Sequence, residues 1–208
     1  MKYIDLTNGS GGGSSQKKKY GADIDVLIGD ISNNGMLLIP QKQADLVFTG
    51  VKSVGAQALM QKFKNANVQN VIFPDLEILG AGSAMEECFY NTSIKTLSMP
   101  KLQTLTNGYV LASAFRNTQL TSVEFPALTT IDGNYALQYC FARCLHLTSL
   151  SFPALTTVSN NVHQFTDMLQ QVTGCTVHFP ASMQNIIGSW EDVTNGFGGT
   201  NTIVLFDL

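Results

Sequence analysis

The segment Leu120-Thr121-Ser122-Val123-Glu124-Phe125-Pro126-Ala127-Leu128-Thr129-Thr130-Ile131, followed by Ala136-Leu137-Gln138-Tyr139-Cys140-Phe141, holds the plan of most of the chain. Its first half alternates: Val123 and Phe125, two apart, are the inward residues of a short strand. Pro126, with no N–H to donate and a fixed φ, ends the ladder. In the second half Ala136, Leu137, Cys140, Phe141 and Cys144 fall at i, i+1, i+4, i+5 and i+8, which predicts one face of a short helix. One unit is therefore a strand, a turn and a helical return.

Working outward, the prolines set the period. Pro74, Pro100, Pro126, Pro153 and Pro180 are separated by 26, 26, 27 and 27 residues. Each follows Phe73, Met99, Phe125, Phe152 or Phe179, and two residues earlier stand Val71, Leu97, Val123, Leu150 and Val177. The same register reaches Leu46 and Phe48 upstream and Val204 and Phe206 downstream, giving seven candidate strands. Between them Phe63, Phe89, Phe115 and Phe141 recur every 26 residues, with Met168 in the next place. A period of this length belongs to a solenoid, because no single unit can bury its own apolar side chains and neighbours must cover one another. The expectation is an α/β solenoid of about seven short parallel strands with helical or irregular returns, roughly 30 Å across and capped at both ends.

Four divisions follow. Residues 1–19 read as a flexible tail in which Gly9 to Ser15 is a Gly/Ser linker and Lys17 to Lys19 a solvated basic triplet. Residues 20–43 read as an N-terminal hairpin cap, Val26 to Ile28 turning at Asn33-Asn34-Gly35 into Met36 to Ile39. Residues 44–180 hold the repeats. Residues 181–208 form a C-terminal cap, with Ile186, Ile187 and Trp190 on a helix and Thr202 to Phe206 as the last strand.

The repeat resembles that of the BspA-like leucine-rich repeat proteins, approximately L-x-x-L-x-L-P-x-x-L-x-x-I followed by A-F-x-x-C. The resemblance covers about residues 44–180. Two departures stand out: the unit is three or four residues longer than the family's usual one, and Leu128 leaves no asparagine where ordinary leucine-rich repeats build an asparagine ladder. The resemblance implies a non-enzymatic binding module in adhesion or host contact at a bacterial surface, with a protein or glycan as partner.

Composition narrows the alternatives. Charged residues make up only 13% of the 208, which excludes charge-driven disorder, and a net charge of −3 lacks the basic excess that nucleic acid requires. No apolar run is long enough to span a membrane, and the first residues lack the pattern of a secretory signal. That second point motivates a rival reading, a virion or other assembly component of bacteriophage type oligomerising through its N-terminal segment.

Asp30-x-Ser32-x-Asn34-Gly35 imitates half of a calcium loop, but Gln41 stands where the bidentate glutamate is needed, so a hairpin turn is expected. Cys88, Cys140, Cys144 and Cys175 contain no C-x-x-C pair. Cys88 and Cys140 share a column with Ala114 and lie two repeats apart, beyond disulfide reach, so they are read as core residues. Cys140, Cys144 and His146 lack a fourth zinc ligand, and His146, His163 and His178 occupy different repeat positions. Glu86-Glu87 and Asp75 with Glu77 read as solvated carboxylates. No catalytic set, metal or cofactor is predicted.

The binding surface is expected on the concave sheet face. The middle residue of each apolar-x-apolar strand points away from the core, which gives Val47, Ile72, Ser98, Glu124, Ser151, His178 and Leu205. The column one step earlier, Asp45, Asn70, Thr96, Ser122, Ser149 and Thr176, is expected off that face by alternation but exposed at the flank of short strands. The candidate ligand residues are Ile72, Thr96, Ser98, Ser122, Glu124, Ser149, Ser151 and His178.

Overall fold

A computed structural model describes residues 44–48, 50–159 and 163–208, together with the backbone of three short strands nearer the N-terminus. In chain order those three are β1 (Tyr3–Asp5), β2 (Lys17–Lys19) and β3 (Asp25–Leu27). The repeats supply β4 (Ala44–Val47), β5 (Val68–Ile72), β6 (Ile78–Leu79), β7 (Thr96–Ser98), β8 (Thr104–Thr106), β9 (Ser122–Glu124) and β10 (Thr130–Asp132). They continue with β11 (Ser149–Ser151), β12 (Thr157–Val158), β13 (Thr176–Phe179) and β14 (Ile203–Phe206).

The seven expected strands are β4, β5, β7, β9, β11, β13 and β14. They stack in parallel, one per coil, with Leu46, Val71 and Leu97 in one register and Val123, Leu150, Val177 and Val204 in another. The backbone ladder lapses between β7 and β9, where Met99 takes the phenylalanine's place and Leu97 is only half-buried. A second parallel ladder, β6, β8, β10 and β12, forms another side of each coil and centres on Leu79, Leu105, Ile131 and Val158.

The third side differs from the expected helix. In residues 109–117 alternate amides do different things. Leu111, Ser113, Phe115 and Asn117 donate to the carbonyls of Ala136, Gln138, Cys140 and Ala142 in the next coil, at 2.8–3.0 Å. Ala112, Ala114 and Arg116 donate to the carbonyl three residues back, at 3.0–3.2 Å. Every fourth residue takes a positive φ: Tyr109 (60°), Ser113 (52°), Asn117 (58°), and likewise Tyr135, Tyr139 and Arg143. This is a run of tight turns with a period of four, hydrogen-bonded from coil to coil, and not an α-helix. Over ten residues a period of four places Ala136, Cys140 and Cys144 on one side as well as 3.6 would, which is why the apolar spacing read as helical.

Two phenylalanine stacks run through the core. Phe125, Phe152, Phe179 and Phe206 stack at 5.5, 5.2 and 5.7 Å on the strand side. Phe63, Phe89, Phe115 and Phe141 stack at 5.2, 5.6 and 5.8 Å on the turn side. They meet edge to face, as at Phe48 and Phe63 (5.8 Å, 85°), an arrangement that aromatic quadrupoles favour. Coils approach so closely at Gly133 that a Cβ there would overlap the Asn107 carbonyl.

The last coil replaces the turn run by two short helices, α1 (Gln184–Ile187) and α2 (Glu191–Thr194). Ile186 and Ile187 lie on α1 as expected, Ile187 buried and Ile186 42% exposed, whereas Trp190 packs on the core from the N-cap of α2 and not from the helix itself. At the other end β1 lies parallel to β4, with Tyr3 opposite Asp45, and β2 pairs antiparallel with β3. The Asn33-Gly35 turn and the calcium-like run from Asp30 to Gln41 lie outside the described residues.

Candidate ligand-binding face

On the strand side each buried residue is flanked by two that leave the core. In β9 Val123 is buried while Ser122 and Glu124 are exposed. Residues one before and one after a buried position lie on the same side of a pleated strand. Both columns therefore share the sheet face, which corrects the expectation that the earlier one lies off it. Along the ladder Thr96 and Ser98 sit opposite Asn70 and Ile72. Ser149 and Ser151 sit between Ser122 and Glu124 on one side and Thr176 and His178 on the other.

Ser122, Glu124, Ser149, Ser151 and His178 line one open hollow of about 320 Å³, to whose wall Leu208 also contributes. The structure thus brings five of the eight candidates together. Ile72, Thr96 and Ser98 lie farther along the same side of the coils, in the separate sheet beyond the lapse in the ladder.

Two residues that complete the face were not among the candidates. Asp207 holds His178: its Oδ1 lies 3.0 Å from Nδ1, and since a carboxylate only accepts, Nδ1 carries the proton. Asp207 lies two residues beyond Leu205, so alternation carried past the last strand reaches it. Asn70 bridges its neighbours. It donates to Asp45 at 2.6 Å and accepts from the Thr96 hydroxyl. The face is hydroxyl-rich in its middle and apolar at its far end, where Ile203 is 55% exposed and Leu205 and Leu208 are exposed too.

A family profile described as a BspA type leucine-rich repeat region matches residues 59–186 in six copies. The chain belongs to the BspA-type leucine-rich repeat family. Comparison with curated proteins and with solved structures found no match. In this BspA-type solenoid each coil carries the expected strand ladder and a second ladder of short strands, joined by the turn runs.

Elsewhere the solenoid disperses its reactive groups. All four cysteines are free and buried. Desolvation pushes the thiols of Cys88, Cys140 and Cys144 up, and that of Cys175 to about 12, so none is a ready nucleophile. Cys140 and Cys144 sit in the core while His146 is exposed, so these three do not converge. Asp75 and Glu77 turn to different lysines: Asp75 meets Lys101 at 2.8 Å and Glu77 meets Lys52 at 3.7 Å. The hydrogen bond from Lys101, helped by the Gly50 N–H, holds the Asp75 carboxyl below its usual value. Glu87 takes Lys64 at 2.6 Å and Gln61 at 2.8 Å. His163 stacks on Tyr135 at 5.0 Å, whereas His178 pairs with Asp207. Among the described residues no helix is long and apolar enough to cross a membrane.

Proposed function

We propose that this chain is a non-enzymatic binding module that grips a protein partner along the sheet face, in adhesion or host contact at a bacterial surface. The observation that carries the reading is the hollow: five outward residues from three consecutive coils, Ser122, Glu124, Ser149, Ser151 and His178, open into one space on a rigid ladder. Solenoids present extended faces of this kind to partners. Hydroxyls next to one carboxylate and one braced imidazole suit a segment of polypeptide, whose amides and a basic side chain they can receive. The apolar end at Ile203, Leu205 and Leu208 supplies the desolvated contact that affinity requires. Membership of the BspA-type family supports the surface role, as an analogy of family.

The test is a panel of immobilised extracellular host proteins probed with the intact chain and with a Glu124→Lys, Ser151→Trp double variant. The reading expects at least one ligand bound by the first and lost from the second, with unchanged thermal unfolding. Ligands bound equally by both chains would overturn it.

A further inference from the structure

A second hollow, of about 290 Å³, opens where the turn runs hand over to the next strands, and Asn91, Asn117, Gln119, Arg143, Leu145 and His146 contribute to its wall. An amide ladder leads into it. Asn91 Nδ2 donates to Asn65 Oδ1 at 2.7 Å, and Asn117 Nδ2 donates to Asn91 Oδ1 at 2.6 Å. All three asparagines hold a positive φ, 58–63°, that this residue type tolerates best after glycine.

The ladder stops at the fourth rung. Arg143 occupies it, and its Nε donates onward to Gln171 Oε1 at 3.0 Å. Asn117 Oδ1, the terminal nitrogens of Arg143 and the ring of His146 are left with no partner among the described residues. No carboxylate lines this hollow, although the chain as a whole is acidic. Leu145 stands beside these groups at 69% exposure.

We infer that this hollow binds a saccharide that carries a carboxylate. The forked guanidinium of Arg143 receives the carboxylate, with His146 beside it. Ring hydroxyls donate to Asn117 Oδ1 and exchange hydrogen bonds with the Gln119 amide, while the C–H face of the sugar rests on Leu145. A bare anion uses only the cation. Asn117 and Leu145 are both exposed at this hollow, where a ligand that also carries hydroxyls and an apolar face engages them together with the cation.

The test titrates the intact chain, labelled with ¹⁵N, with sialyllactose and with a hyaluronan tetrasaccharide. Lactose and chitotetraose serve as neutral counterparts and sulfate as the bare anion. The expected result is that at least one acidic sugar shifts the amides of Asn117, Gln119, Arg143, Leu145 and His146, more tightly than its neutral counterpart or sulfate. Arg143→Gln weakens that binding roughly ten-fold or more, the usual worth of a charge-assisted hydrogen bond. His146→Ala, at an exposed position, gives a second weakened variant should Arg143→Gln unfold. Glu124→Lys on the sheet face leaves the binding unchanged, which keeps this site separate from the protein-binding face. Binding of neither acidic sugar, equal binding of neutral sugar or sulfate, or full affinity in both variants would overturn the inference.

Discussion

The strand side and the turn side of each coil solve one problem in two ways. Both tie a coil to the next through the amide of every second residue, and both thread a phenylalanine stack beneath that ladder. On the strand side the backbone is extended and any L-residue serves, so the outward positions are free to vary from Ile72 through Ser98 to Glu124 and His178. On the turn side every fourth residue is forced into the left-handed region, which costs a non-glycine residue about 1–2 kcal/mol. Side chains there are engaged in holding the turns, as the asparagine ladder shows. The difference teaches where variation is cheap and hence where a broad binding surface can form.

The largest effects test whether the two stacks are equal partners. Phe141→Ala on the turn side and Phe152→Ala on the strand side each remove a fully buried ring, and each is expected to cost roughly 3–5 kcal/mol in urea unfolding. A loss confined to one of them would show that a single side carries the solenoid.

Next comes the backbone itself. Asn91→Ala forfeits an amide bonded on both sides and puts a β-carbon-bearing residue without a polar side chain at φ 58°. A loss of about 2–3 kcal/mol is expected, and Asn91→Gly should recover part of it by relieving the φ while leaving the hydrogen bonds broken. Thr96→Ala, the strand-side counterpart, should lose about 1 kcal/mol at most. Equal losses at the two sites would erase the contrast.

Two carboxylates sharpen the comparison through pH. Asp192, on the return of the last coil, has its pKa raised to about 6, chiefly by burial and further by Asp167, against the opposing pull of His163. The folded state then holds a proton that the unfolded state has lost between about pH 4 and 6, so stability falls as pH rises through that window. Asp192→Asn should flatten this slope, leaving the variant the more stable chain at pH 7 and no better at pH 3 in thermal melts.

The smallest effect is at Asp75, at the corner beyond β5. Its pKa is lowered by the Lys101 hydrogen bond, so its contribution is present above the unfolded carboxyl value, near 4, and is lost as pH falls through the folded one. Lys101→Met should lower stability slightly at pH 7, the difference closing at pH 2. A persistent gap at pH 2 would mean that Lys101 acts through packing.

Much of this was legible in the chain because parallel stacking copies each feature to the next coil at a fixed distance. The prolines gave the period, and Val71, Leu97, Val123, Leu150 and Val177 gave the strands. The turn runs were not legible as such, since a four-residue period and a helical one place the same apolar residues inward over so short a stretch. Left-handed residues such as Gln61, Glu87, Tyr139 and Arg143 carry no compositional mark. The 26-residue spacing of Asn65, Asn91 and Asn117 was a readable signal of it, and the helical reading passed it over. On the candidate face the two columns were readable from alternation, whereas Asp207 was hidden because it follows the last repeat and has no counterpart to be compared with.

The most direct test of the account is the scalar coupling across the hydrogen bonds of the turn side, measured by NMR on the deuterated, ¹³C,¹⁵N-labelled chain. The turn run should give a correlation from the Phe115 amide nitrogen to the Cys140 carbonyl, 25 residues ahead, and from Ser113 to Gln138. Correlations from Phe115 to the Leu111 carbonyl, four residues back, would make the return an α-helix and contradict it.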